Sequence, residues 1–127
     1  AVQIGTRFVV AEEAVVHEAY KDRILAAKDI DSAVTGRSHG HPVRSLRNAM
    51  TREYGKLEAE GKSFEELEYL TLGTLRNAVV DGDVVHGTVM AGQIAGLVNK
   101  KQSCKEIVQE MVAQAEALLA GAGAYLN

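Results

Sequence analysis

Three groups of residues in this sequence have types and spacings that can do chemistry. The first is Gln3-Ile4-Gly5-Thr6. A short apolar run that turns through glycine into a helix start presents free backbone N–H groups and a hydroxyl, which together suit a phosphate. The same residues also fit a plain strand-to-helix turn capped by Thr6. The second group runs from Ser32 to Arg52. It holds Arg37, Arg44, Arg47 and Arg52 with His39 and His41, and no acidic residue. Four fixed charges beside two imidazoles attract a phosphate, a carboxylate or an acidic partner protein. Equally, the arginines can pair with glutamates from neighbouring helices. The third is Met90-Ala91-Gly92-Gln93-Ile94-Ala95-Gly96, whose small residues let a backbone or a flat ligand approach and whose Gln93 can read an amide-like edge. Tight helix packing explains that stripe as well.

Other chemistries find little footing. His39 and His41 lack a nearby third metal ligand, and His17 and His86 stand far away along the chain. Cys104 falls on an apolar helical face and reads as an inert core thiol. No Ser-His-Asp order or usual Gly-rich nucleotide loop is present.

These groups need elements to position them. Residues 1–4 read as a strand buried on both faces, with one weak partner near Ile30 to Val34. Val16, Tyr20, Ile24 and Ala27 recur at helical spacing and predict a helix over about 11–28. The segment from Gly36 to His41 reads as a loop, and Pro42 as the first residue of a helix carrying Val43, Leu46, Met50, Tyr54 and Leu57 up to Gly61. Ser63 with Glu66 and Ser103 with Glu106 are capping boxes that open two further helices. A short helix is expected over 74–80, a turn at Asp81-Gly82-Asp83, a small-residue helix from Thr88 to Val98, and a frayed tail at 121–124. The organisation expected is 1–28 as one unit and 29–127 as a mainly helical region.

Composition narrows the class. At 127 residues with 46% hydrophobic content the chain can build a modest core, and scarce aromatics suit packed helices. A net charge of −3 argues against general nucleic-acid binding. No run approaches the length needed to span a bilayer, no leader resembles a signal peptide, and a single cysteine suits a reducing cytoplasm.

Taken in order, Ala1-Val-Gln-Ile-Gly-Thr-Arg-Phe8, Ala27-Lys-Asp-Ile-Asp31, Thr35-Gly-Arg-Ser-His-Gly-His-Pro-Val-Arg44 and Met90-Ala-Gly-Gln-Ile-Ala-Gly96, followed by Cys104-Lys-Glu-Ile107, resemble the C-terminal portion of FabK-type flavin-dependent enoyl-acyl-carrier-protein reductases, within the nitronate monooxygenase superfamily. The resemblance implies an α/β parent, a TIM-type (β/α)8 barrel, to which this chain supplies the last strand and a mostly α-helical C-terminal region. It implies that Gln3, Gly5 and Thr6 hold the FMN phosphate, since barrel phosphate sites lie after the last strands. Arg37, His41, Arg44 and Arg47 would help receive a cofactor phosphate or the acidic acyl carrier protein. Met90, Ala91, Gly92 and Gln93 would lie near the flavin or substrate mouth. The implied reaction passes a hydride from NAD(P)H through FMN to an enoyl chain; nitronate-oxidising relatives use oxygen. The family's active-site histidine and first seven strands match nothing from residue 1 onward, so none of the four histidines inherits that role. His39 stands where many relatives carry Thr. The 127 residues alone are expected to be inactive, and to associate with the remaining barrel half or with a second copy as a dimer. A non-catalytic helical assembly module is the reading from another class.

Overall fold

A computed structural model describes residues 1–125. Residues 1–4 form no ladder, and Ala1, Val2 and Gln3 are exposed. This differs from the strand expected there, for a physical reason: a strand's backbone groups need neighbouring strands, and the described residues put none beside these four. The chain then enters a single turn of helix, α1 (Thr6–Val9), and loops through residues 10–17 before α2 (Glu18–Leu25). The expected long helix is thus shorter than its apolar spacing predicted. Buried Lys21 explains the break, because its ammonium donates to the Ala11 carbonyl at 3.0 Å and pairs with Glu18 at 3.2 Å, holding the loop open against α2.

The only strands among the described residues are β1 (Ser32–Thr35) and β2 (Val43–Leu46), an antiparallel hairpin with Ser32 opposite Leu46 and Thr35 opposite Val43. Pro42 therefore precedes a strand rather than opening a helix. The helix expected from it, α3 (Ala49–Ala59), starts seven residues later behind Asn48, whose side chain and that of Thr51 form a reciprocal capping box. That correction has a local cause: Val43 to Leu46 pairs with β1 on one side and, through the Ser45–Met90 bridge, with the segment before Gly92 on the other.

Helix α4 (Phe64–Thr71) opens on the Ser63/Glu66 box, α5 (Thr74–Val79) follows, and α6 (Cys104–Gly121) opens on the Ser103/Glu106 box. Gly61 ends the α3 segment with φ +78°, a backbone that favours glycine. Between α5 and α6 the expected small-residue helix is replaced by a bridge at Met90 and a 3-10 turn, Gln93–Leu97. Residues 88–90 already hydrogen-bond sideways, Thr88 N to Thr74 O and Leu46 N to Val89 O, so they are unavailable for helical pairing. The tail expected to fray is wound into a 3-10 turn, Ala122–Tyr125.

Two apolar clusters hold these elements. The larger joins Val10, Tyr20, Ile24 and Ala27 to Leu46, Val89, Ala91 and Val98. The smaller packs Met50 and Tyr54 of α3 on Leu67 of α4. Each fully buried Leu, Ile or Val in them contributes about 1.5–3 kcal/mol.

Candidate functional site

The Gly5–Thr6 turn and the extended Met90–Gly92 segment, far apart in sequence, meet in space. The Thr6 hydroxyl accepts a hydrogen bond from Gly92 N at 2.8 Å. Thr6 is thus the first residue of α1 and a tie to the distant Met90–Gly92 segment; the N-cap position belongs to Gly5, and no side chain caps α1. Two further contacts fix Met90. The Ser45 bridge sets its register, and the Tyr20 hydroxyl donates to its carbonyl at 2.8 Å. Burial pushes the Tyr20 phenol up to about 12, the hydrogen bond to Met90 pulling the other way.

On one side of this junction lies a shallow depression lined by Gly5, Thr6, Val9, Arg44, Met90 and Gly92. Arg44 is half-buried and reaches back to the Ser32 hydroxyl at 2.9 Å, a neutral partner that leaves its charge available. On the other side a larger cleft of about 790 Å3 opens between the turn and α6, lined by Gln3, Thr6, Arg7, Gly92, Ile107 and Glu110 among others. Arg7 bonds to Gln102, while its second terminal nitrogen is buried without any partner. Glu110 shares the cleft but is already matched: the Lys100 ammonium at 2.8 Å and the Gln102 amide hold its carboxyl below the usual range. The backbone N–H groups of Gly5, Thr6 and Arg7 donate to nothing among the described residues.

A third space, about 250 Å3, lies between the hairpin and helices α3 to α5. Its walls include Val43, Met50, Tyr54, Phe64 and Met90, with His41 at the rim. Met90 is common to this chamber and to the depression beside Thr6.

Of the residues singled out in the sequence, Gln3, Gly5, Thr6, Arg44, Met90, Ala91 and Gly92 are gathered around the junction. His41 sits apart, tilted on Phe64 with ring centres 4.7 Å away. Arg37 is exposed on the hairpin loop, Arg47 is exposed beyond β2, and Gln93 is exposed at the head of the 3-10 turn. The basic segment therefore does not act as one patch; only Arg44 faces the junction. The arginines of that segment make no ion pair among the described residues, so the alternative of a network with helix glutamates is not formed there. Glu58 turns instead to the loop, accepting from Ser38 Oγ at 2.5 Å, Ser38 N at 3.2 Å and Gly36 N at 3.3 Å.

Arg7, Phe64 and Tyr20 were not singled out as site residues from the sequence. A cation directly after Gly5-Thr6 was a readable signal for Arg7. Phe64 and Tyr20 carried none, because their roles depend on neighbours brought from the hairpin and from Met90. Cys104 is half-buried, its thiol pushed up by desolvation and by the Glu13 carboxylate, which accepts from Cys104 N at 2.9 Å.

Comparison with known proteins covers nearly the whole chain. The chain is 38% identical to FabK from Thermotoga maritima, superposing with a TM-score of 0.92 over 98% of its own length and 40% of that chain. A methionine-to-alanine mutant of the same FabK superposes with a TM-score of 0.82. Among curated relatives it is 28% identical to a Mycobacterium tuberculosis hydroxy-methyl-oxo-octahydroindene-carboxyl-CoA dehydrogenase over 90% of this chain, and 25% identical over 93% to a Staphylococcus saprophyticus protein described as "Probable nitronate monooxygenase". It spans 42% and 33% of the lengths of these two. The nitronate monooxygenase family model matches residues 1–114, and the chain belongs to that family.

Proposed function

We propose that this chain is the C-terminal part of an FMN-dependent enoyl-acyl-carrier-protein reductase that draws on NAD(P)H. The observation that carries the reading is the junction itself, where the Gly5–Thr6 turn is tied to Gly92 beside two arginines with no carboxylate partner. The likeness to FabK supports the same reading.

The residues present fit a flavin phosphate. A dianionic group needs several donors and a fixed charge. The unpaired Arg7 nitrogen, the undonated N–H groups of Gly5 to Arg7 and the Gln3 amide line one cleft. A Cβ added at Gly5 would meet nothing within 4 Å, so the turn's face is open to a ligand. When bound, FMN supplies the two-electron transfer between nicotinamide and substrate. The chain's own residues anchor, orient and screen. Arg7 and Gln3 hold the phosphate end, and Thr6, by fixing Gly92, keeps the Met90 segment at a constant distance from the turn. Arg44 offers a second cationic contact for a phosphate of the reductant or of the carrier's pantetheine arm. Met90 and Ala91 close the wall with apolar surface and exclude water.

The test uses the intact protein: flavin absorbance after purification, and NAD(P)H oxidation with crotonyl-thioester. Flavin-loaded protein that reduces the enoyl substrate is the expected result; failure to take up flavin overturns the proposal. The family match also favours a second reading, nitronate oxidation with oxygen. Oxygen consumption with a nitronate, and indifference to the enoyl thioester, would select it.

A further inference from the structure

We infer that the 250 Å3 chamber between the hairpin and helices α3 to α5 holds the apolar tail of an acyl thioester, and that Met90 is the partition between this tail site and the depression beside the Thr6–Gly92 junction. The inference deepens the enoyl-thioester reading and rests on it for the identity of the reacting end.

The position of Met90 is the first support. Its residue lines both spaces, so a molecule lying at the junction meets the chamber directly across one flexible, polarisable side chain. Its backbone cannot drift, being held by Ser45 on one side and the Tyr20 hydroxyl on the other. The partition therefore moves by side-chain rotation alone.

The chamber's chemistry is the second support. Val43, Met50, Tyr54, Phe64 and Leu75 supply apolar walls. Two of the hydroxyls that line it satisfy each other. Thr74 donates to the Thr71 carbonyl at 2.7 Å, and Thr88 lies 2.7 Å from the Thr74 hydroxyl, to which it donates. With those two protons committed, and the Thr71 hydroxyl donating to the Glu68 carbonyl at 3.1 Å, three of the four lining threonine hydroxyls ask nothing of a ligand. The polar lining groups His41 and Glu68 are exposed to solvent.

Size sets the scale of the ligand. With about 30 Å3 taken by each water-sized group, the 250 Å3 chamber has room for about eight heavy atoms, a medium acyl chain.

Binding of butanoyl-, hexanoyl- and octanoyl-pantetheine to the intact protein, read by titration calorimetry, tests this. Each added methylene is expected to tighten binding about fourfold until the chamber is full. Leu75→Trp, which adds bulk at a wall residue, should flatten that series. Phe64→Ala, which widens the chamber, should extend the series to longer chains, a change of opposite sign that remains informative if Leu75→Trp does not fold. A series without chain-length dependence, or one that folded variants leave unmoved, overturns the inference. Enoyl turnover on the same preparations separates the two ideas. A normal binding series without turnover supports the chamber and removes the reductase reading. Turnover with no chain-length dependence removes the chamber and leaves the reductase.

Discussion

Thr6 and Tyr20 do their work through one hydrogen bond each. Thr6→Val keeps the shape of the side chain and deletes the acceptor for Gly92 N. A part-buried donor left unmatched costs about 1–3 kcal/mol; we expect a lower denaturant midpoint and, if the flavin proposal holds, roughly tenfold weaker FMN binding in fluorescence titration. A stability loss with FMN affinity unchanged would separate the tie from the ligand site. Tyr20 predicts an alkaline dependence. Its phenol is raised to about 12 in the fold against an ordinary value of 10.0. The folded state therefore holds the proton more tightly, so stability is intact below pH 10 and falls as pH rises toward 12. The loss is at most about 2 kcal/mol, allowing for partial solvation. Tyr20→Phe, compared with the parent across that window by urea unfolding, should show no such slope from this position.

The hairpin is the element on which the chamber depends, and its loop is fastened by Glu58 of α3. Ser38 is the main cause of the depressed Glu58 carboxyl, with Gly36 N and nearby His39 adding to it. A depressed carboxylate stabilises above its unfolded value and loses that contribution as pH falls through the folded one. Glu58→Gln should therefore be less stable than the parent at neutral pH, by about 1.5–3 kcal/mol for charged hydrogen bonds. The gap should close below the ordinary carboxylate range in thermal melts at graded pH. Gly36 makes a sharper case. Its φ is +76° and an added Cβ would lie 2.3 Å from the His41 carbonyl oxygen. Gly36→Ala thus faces backbone strain and a clash together, and we expect the hairpin amides to lose hydrogen-exchange protection.

These elements also mark where the sequence could be read and where it could not. Both serine capping boxes and the α3 stop at Gly61 were legible because their signals are local. The hairpin was hidden by two competing periods. Val43, Leu46, Met50 and Tyr54 lie at helical spacing, yet only the last two belong to α3. What decided Val43 to Leu46 was pairing with Ser32–Thr35 and Met90, which no window of neighbouring residues contains. The same limit applies at the site. The sequence singled out Gly5-Thr6 and Met90-Ala91-Gly92 as separate features, but charge alone could not sort Arg44, which faces the junction, from exposed Arg37 and Arg47.

At the scale of the whole molecule, helix α6 is the unfinished surface. Ile107 is buried, but Val108, Val112, Leu118 and Leu119 are 48%, 51%, 71% and 76% exposed, and Leu97 nearby is 73% exposed. Apolar area of this kind favours association. The 127 residues alone are expected to scatter light with a mass above that of one chain, and Leu118→Glu with Leu119→Glu should lower it. A monomer at micromolar concentration would contradict this. In the intact protein we propose that the same face is covered by the barrel half implied by the family likeness or by a second copy.

The bond between Thr6 and Gly92 joins positions 86 residues apart. Closing a loop grows costlier only by about 0.6 kcal/mol for each doubling of its length, but the closure must precede any reward from the contact. The junction therefore exists only once distant parts of the chain have come together. Ligand capture there would report that this long-range closure has formed rather than local structure alone. A chaperone-dependent or slowly maturing preparation should gain its bound ligand in step with its slowest folding phase.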